Sequence, residues 1–129
     1  MGKEIIMVDS SLFIDYYRKI NKTGTQLVEL SKKYDFSISV ITKFELLVGI
    51  KNEEERFFWN GIFKDMAIFP LAEKEVEKTV EIMKYLRTQN QIIGLQDIFI
   101  AATAMVNGFG LATLNIKDFV RIPNLKLIT

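Results

Sequence analysis

A chain of 129 residues, 49% of them hydrophobic, is long enough for one core, so a single domain over 1–129 is expected; its formal net charge of +1 argues neither for nor against nucleic acid. It has no cysteine and no histidine, which excludes disulfides, thiolate or imidazole metal sites, cysteine nucleophiles and the Ser-His-Asp triad. Any metal must then be held by oxygen, which points to Mg²⁺ or Mn²⁺.

The chain opens with Ile5-Ile6-Met7-Val8, an apolar run closed by Asp9-Ser10-Ser11. Such a run reads as a strand buried on both faces, followed by a helix start. Leu12 to Tyr17 is helical in spacing, with Phe13, Tyr16 and Tyr17 on one face. Asn21 to Gly24 is a turn, and a second helix follows with Leu27, Leu30 and Tyr34 on its apolar side. Phe36 to Ile41 alternates like a second strand. Thr42 to Gly49 is a short helix, and Thr42 with Glu45 has the spacing of a capping box.

Asn52 to Phe63 is another helix and contains Phe57-Phe58-Trp59. Successive helix residues turn by ~100°, so three neighbouring aromatics cannot share one narrow stripe. Either the buried face is wide, or at least one ring reaches the surface or a partner chain. Met66 to Phe69 is a short third strand stopped by Pro70. Glu73 to about Asn90 is a long charged helix, its faces marked by Val76, Val80, Met83 and Leu86-Arg87. Gly94 interrupts the pattern. A helix of small residues then runs from about Gln96 to Val106, its alanines suited to close packing on a sheet. Gly108 to Ala112 turns into a fourth strand, Thr113 to Phe119 is a loop with a helical turn, and Lys126 to Ile128 is a last small strand. No apolar run approaches the ~18 residues of a membrane span. Met1 to Glu4 leads straight into the first strand without room for a signal peptide, so a cytoplasmic protein with no membrane contact is expected.

Strands alternating with helices imply a parallel sheet covered on both faces. Ligands bind such sheets outside the carboxyl ends of the strands. Asp9 ends strand one, Glu45 lies in the first turn after strand two, Asp97 opens the helix that feeds strand four, and Asp118 lies in the first turn after it. Four carboxylates from distant positions are therefore expected at one edge. Each also has a local role open to it: Asp9 as an N-cap, Glu45 in the box with Thr42, Asp97 against a helix dipole, Asp118 in a cap with Asn115. Four like charges near one point repel, and a shared cation is the usual remedy.

Four blocks of the chain resemble the PIN domain, specifically the VapC-type toxins of toxin–antitoxin pairs. They are Val8-Asp9-Ser10-Ser11-Leu12-Phe13-Ile14-Asp15-Tyr16, Ser39 to Gly49 with its glutamate, Asp97 to Ala104, and Leu111 to Phe119. The resemblance implies a three-layer α/β/α domain with a central, mostly parallel sheet of about five strands. It implies a Mg²⁺- or Mn²⁺-dependent endoribonuclease that forms a homodimer and is blocked by a small antitoxin protein. By position, Asp9, Glu45 and Asp97 match the family's core acids. Asp118 matches a less uniform fourth, and Asn115 holds a position that is acidic in some members. Ser10 and Thr113 match polar positions beside the metal. Ser10-Ser11 stands where threonine-asparagine is commoner.

On this basis Asp9 and Asp97 are the principal metal ligands. Glu45 and Asp118 bind the metal directly or through water, or orient the attacking water. With no histidine, a metal-activated water is the natural nucleophile on an RNA phosphodiester. The aromatics Phe57, Phe58 and Trp59, with Tyr16 and Tyr17, are candidates for an antitoxin or dimer surface. Two other classes compete: a catalytically silent PIN-like binding module, and a receiver-like signalling domain. The latter needs an acid ending its central third strand, and Met66-Ala67-Ile68-Phe69-Pro70 supplies none.

Overall fold

A computed structural model describes residues 2–128; Met1, part of the N-terminal stretch read above, lies outside them. Strands β1 (Glu4–Val8), β2 (Tyr34–Ser39), β3 (Ala67–Phe69), β4 (Leu111–Ala112) and β5 (Leu127–Ile128) form one sheet in the order β3-β2-β1-β4-β5. Every pairing is parallel. Helices α1 (Ser10–Arg18) and α2 (Gln26–Ser31) connect β1 to β2, and α3 (Val40–Val48) and α4 (Glu53–Phe63) connect β2 to β3. The long α5 (Glu73–Thr88) and α6 (Leu95–Val106) lead to β4, and the short α7 (Ile116–Phe119) follows it.

The pleat of β1 splits the core. Ile6 and Val8 join Leu12, Phe13, Leu27, Leu46, Trp59 and Phe63 on one face. Met7 joins Ile82, Leu86, the alanines of α6, Leu111 and Phe119 on the other. Alternate residues of a strand point to opposite faces, so Ile6, Met7 and Val8 are all apolar because helices cover both, whereas Glu4 and Ile5 ahead of them are exposed. That is the expected three-layer arrangement. Its strand order reverses direction at β1: the chain first builds outward to β2 and β3, then returns to place β4 and β5 on the other side. A crevice opens at such a switch point, beyond the carboxyl ends of the strands.

Two glycines bring the chain into β4. Gly108 follows α6 at φ +75°, in the left-handed region that glycine enters without strain. At Gly110 a Cβ would lie 2.6 Å from Cδ1 of Ile128, so a side chain there would require Ile128 to shift its tip.

Several local expectations are corrected. Tyr34 begins β2 rather than ending the second helix. That strand stops at Ser39, and Val40 and Ile41 are already helical. The cap is Ser39, whose Oγ accepts the Thr42 backbone N–H at 3.0 Å. The capping box of Thr42 with Glu45 does not form, because α3 starts earlier than the alternation suggests and Glu45 falls in its second turn. In α5 the buried seam is Glu75, Thr79, Ile82 and Leu86, while Val76 and Val80 are exposed. Glu75 tolerates burial because its carboxylate accepts the Ala72 N–H at 3.1 Å and the Asn107 amide at 3.3 Å. The three aromatics of α4 divide as their angular spacing requires: Trp59 is buried, Phe58 half-buried, and Phe57 84% exposed.

Candidate functional site

Asp9 leaves β1 at the switch point. Its backbone N–H donates to Ala112 O at 2.9 Å, which ties the end of β1 to the end of β4. Its side chain caps α1 and is only 3% exposed. A buried carboxylate is stable only when fully hydrogen-bonded or paired. Here Oδ1 accepts the Ser10 backbone N–H at 2.8 Å and the Ser10 hydroxyl at 3.4 Å. Oδ2 accepts the hydroxyls of Ser11 at 2.9 Å and Thr113 at 2.7 Å. The capping role and the central position are thus held by one side chain.

Ser10 reaches further: its hydroxyl also donates to Glu45 Oε1 at 3.1 Å. This brings α3 to the same point as β1. On the other side Asn115 plays a comparable part, its amide donating to Asp118 at 3.0 Å and to Asp97 at 3.4 Å. Asp97 sits in the first turn of α6. The four acids therefore fall into two bridged pairs, Asp9 with Glu45 and Asp97 with Asp118.

Their electrostatics link the pairs. Burial pushes the Asp97 carboxyl up to about 6, with help from the charges of Asp9 and Asp118. Burial likewise raises Glu45, opposed by the Ser10 hydrogen bond and reinforced by Asp9 and Asp97. Asp118 moves the other way: hydrogen bonds from Asn115 and then Arg121 hold it below the usual carboxylate range. Arg121 contacts it at 2.6 Å.

Among the described residues, no group of three or more acids is drawn together closely enough to form a ready-made metal cage. Hydroxyl and amide hydrogens stand between the carboxylates instead. The donor set still fits a hard divalent cation, being all oxygen with no soft ligand. Burial, and after it the charges of neighbouring acids, raises Asp97 and Glu45, and a bound cation would favour their ionised forms.

Two participants were not singled out in the sequence. Ser11 donates to Asp9 and accepts the Leu114 N–H at 3.0 Å, fixing the loop after β4. Arg121 stands three residues after Asp118, a spacing that brings side chains together on a helical turn and could have flagged it.

The PIN domain model matches residues 6–125. Ribonuclease VapC10 of Mycobacterium tuberculosis is 33% identical over 122 residues, covering 95% of this chain and 91% of its own. Ribonuclease VapC1 of Rickettsia felis is 34% identical over 131 residues, covering 96% and 95%. The chain belongs to the PIN-domain family, in its VapC branch. The fold of this PIN domain is also that of VapBC-1 from nontypeable Haemophilus influenzae, with a TM-score of 0.84 at 23% identity over 96% of each chain. VapBC2 from Rickettsia felis, solved bound to a DNA fragment from its promoter, gives a TM-score of 0.80 at 25% identity over 96% of this chain and 97% of that one.

Proposed function

We propose that this PIN domain is a metal-dependent endoribonuclease, the toxin of a toxin–antitoxin pair, acting at the Asp9 edge of the sheet. The observation that carries the proposal is the convergence at the switch point of Asp9 and Glu45, bridged by Ser10, with Asp97 and Asp118, bridged by Asn115. The curated relatives named as ribonucleases and the neighbours solved as toxin–antitoxin complexes support the substrate and the partner.

Asp9 and Asp97 are proposed as principal ligands of Mg²⁺ or Mn²⁺, with Glu45 joining them directly or through water. When bound, such an ion lowers the pKa of water and offsets phosphate charge. Ser10, Ser11 and Thr113 fix the Asp9 carboxylate so that its oxygens are held in place before the ion arrives. Glu45, raised by burial, is suited to take a proton from the attacking water. Asn115 positions Asp97 and Asp118 together, and Asp118, already engaged by Arg121, serves as an outer holder of the site.

The protein acts in the cytoplasm as one domain, pairs as a homodimer and is silenced by a small antitoxin. Among the described residues, no helix is long and apolar enough to cross a membrane. Of the three successive aromatics of α4, Phe57 is the ring most available to a partner, because Trp59 and Phe58 pack with Phe13, Tyr16 and Tyr17. A receiver-like domain is disfavoured because β3 is an edge strand followed by Pro70 and carries no acid.

The test is cleavage of mixed single-stranded RNA with Mn²⁺ or with EDTA, using Asp9→Asn as control. Cutting that needs both the ion and Asp9 supports the proposal. Cutting that survives in EDTA or in Asp9→Asn removes the metal site. No cutting under any condition leaves a silent binding module.

A further inference from the structure

Helix α1 borders two cavities, and one of them reaches the acidic centre at Glu45. One, of about 230 Å³, lies between α1 and the α3–α4 corner, with Tyr17, Arg18, Lys51, Glu55 and Trp59 in its walls and Glu45 at its inner end. The other, of about 490 Å³, is lined by Ser11, Asp15, Lys19 and Leu114. Ile14 and Arg18 border both.

The charges in the first cavity are unusual for the neighbourhood of four carboxylates. Arg18 and Lys51 are exposed, and among the described residues neither takes part in an ion pair. Glu55 lines the same cavity, with Oε2 accepting the Lys51 backbone N–H at 2.9 Å and its carboxylate beside the Tyr17 hydroxyl. Tyr17 presents a 36% exposed ring, held by Phe58 at 5.1 Å and Trp59 at 5.5 Å, with the Lys22 ammonium 5.7 Å from its centroid. A simple anion would meet Glu45 and Glu55 as well as the cations. A nucleotide matches both signs: phosphate oxygens for Arg18 and Lys51, base N–H groups for Glu55, and a flat face for Tyr17. The space takes one base and its sugar, not a paired duplex.

We propose that the groove between α1 and the α3–α4 corner is a nucleotide subsite for single-stranded RNA, in which Arg18 and Lys51 hold backbone phosphates and one base lies against Tyr17. The proposal rests on the ribonuclease function above and adds the route by which the strand reaches Glu45. Arg18 and Lys51 act in binding and positioning; they do not touch the reacting bond.

The test uses the full chain and a fluorescein-labelled, mixed-sequence twelve-nucleotide RNA. Affinity is read by anisotropy across a salt series in Ca²⁺, and cleavage in Mn²⁺. The Arg18→Ala/Lys51→Ala pair is expected to weaken binding at least tenfold. It should also flatten the log–log salt slope by about 1.4, at ~0.7 for each single-strand phosphate that no longer meets a cation. Arg18→Lys with Lys51→Arg should restore the slope. Tyr17→Ala should weaken binding severalfold and leave the slope unchanged. In cleavage, KM should rise for these variants with kcat within twofold of wild type. Unchanged affinity and slope overturn the subsite, as does a fall in kcat at constant KM, or a loss confined to a protein partner. If wild type binds the strand with these sensitivities and does not cut it, the ribonuclease function falls and the subsite stands.

Discussion

Asp97 and Asp118 accept hydrogen bonds from the same Asn115 amide and end in opposite states. Asp97 is half-buried with acids for neighbours, and its carboxyl titrates at about 6. Asp118 is held below the ordinary range by Asn115 and Arg121. The corner around Asp9 differs from both: it is buried, saturated with hydroxyl donors and anchored to two strands. Counting acids at the edge therefore overstates their equivalence. One is rigid, one is frustrated by its surroundings, and one is already neutralised by an arginine. A frustrated carboxylate gains most from a cation, and a neutralised one gains least.

That contrast is open to direct attack. The largest effect is expected for Asp9→Asn and Asp97→Asn, which each remove a proposed ligand. A ligand's share of charge stabilisation is several kcal/mol, so initial cleavage rates should fall by ~10³, with circular dichroism unchanged. Asp118→Asn should fall only by about tenfold, within the range for residues that orient a metal site from outside. Equal losses for Asp97→Asn and Asp118→Asn would erase the distinction between them. Thr113→Val removes the 2.7 Å donor to Asp9 and should weaken Mn²⁺ binding by ~10-fold in calorimetry.

The smallest effect is a pH dependence in the metal-free protein. The Asp97 carboxyl titrates at about 6 in the fold and near 3.8 unfolded, so its protonated form is the one the fold favours. Its contribution to stability is complete below 3.8 and is lost as pH rises through about 6. In EDTA, Asp97→Asn should therefore melt roughly one to three degrees above wild type at pH 8, a small shift because the group is partly solvated. The gain should vanish by pH 4. A gain that persists at pH 4 would assign the stabilisation to something other than charge.

The sequence carried the architecture because the signals were local. Ile6 to Val8 is apolar without interruption because that part of β1 is covered on both sides, and Ala101, Ala102 and Ala104 are small because α6 is wholly buried there. The boundaries failed where two local signals compete. Ser37 and Ser39 alternate with apolar residues, yet both serines are buried, Ser37 donating to Ile6 O at 2.9 Å and Ser39 capping α3. The alternation therefore ran past the true end of β2. The seam of α5 was missed because two of its members, Glu75 and Thr79, are polar and find their partners within the fold.

For the candidate site, the placement of Asp9, Glu45, Asp97 and Asp118 at one edge was legible from strand order. Their inequality was not, because it depends on Ser10, Ser11, Asn115 and Arg121, which lie between or beside them in space. Short polar side chains carry no periodic pattern, and their partners are set only when distant strand ends meet.

The most direct measurement is calorimetric titration of Mn²⁺ into the full chain at pH 6 and pH 8, in buffers of different ionisation heat, for wild type and Asp97→Asn. If Asp97 is a ligand, wild type should release about half a proton or more per ion at pH 6, where that carboxyl is half titrated, and almost none at pH 8. Asp97→Asn should bind more weakly and release less at pH 6. Equal affinity and equal proton release in the two proteins, or no uptake of the ion by wild type, would contradict the metal site at the edge of β1.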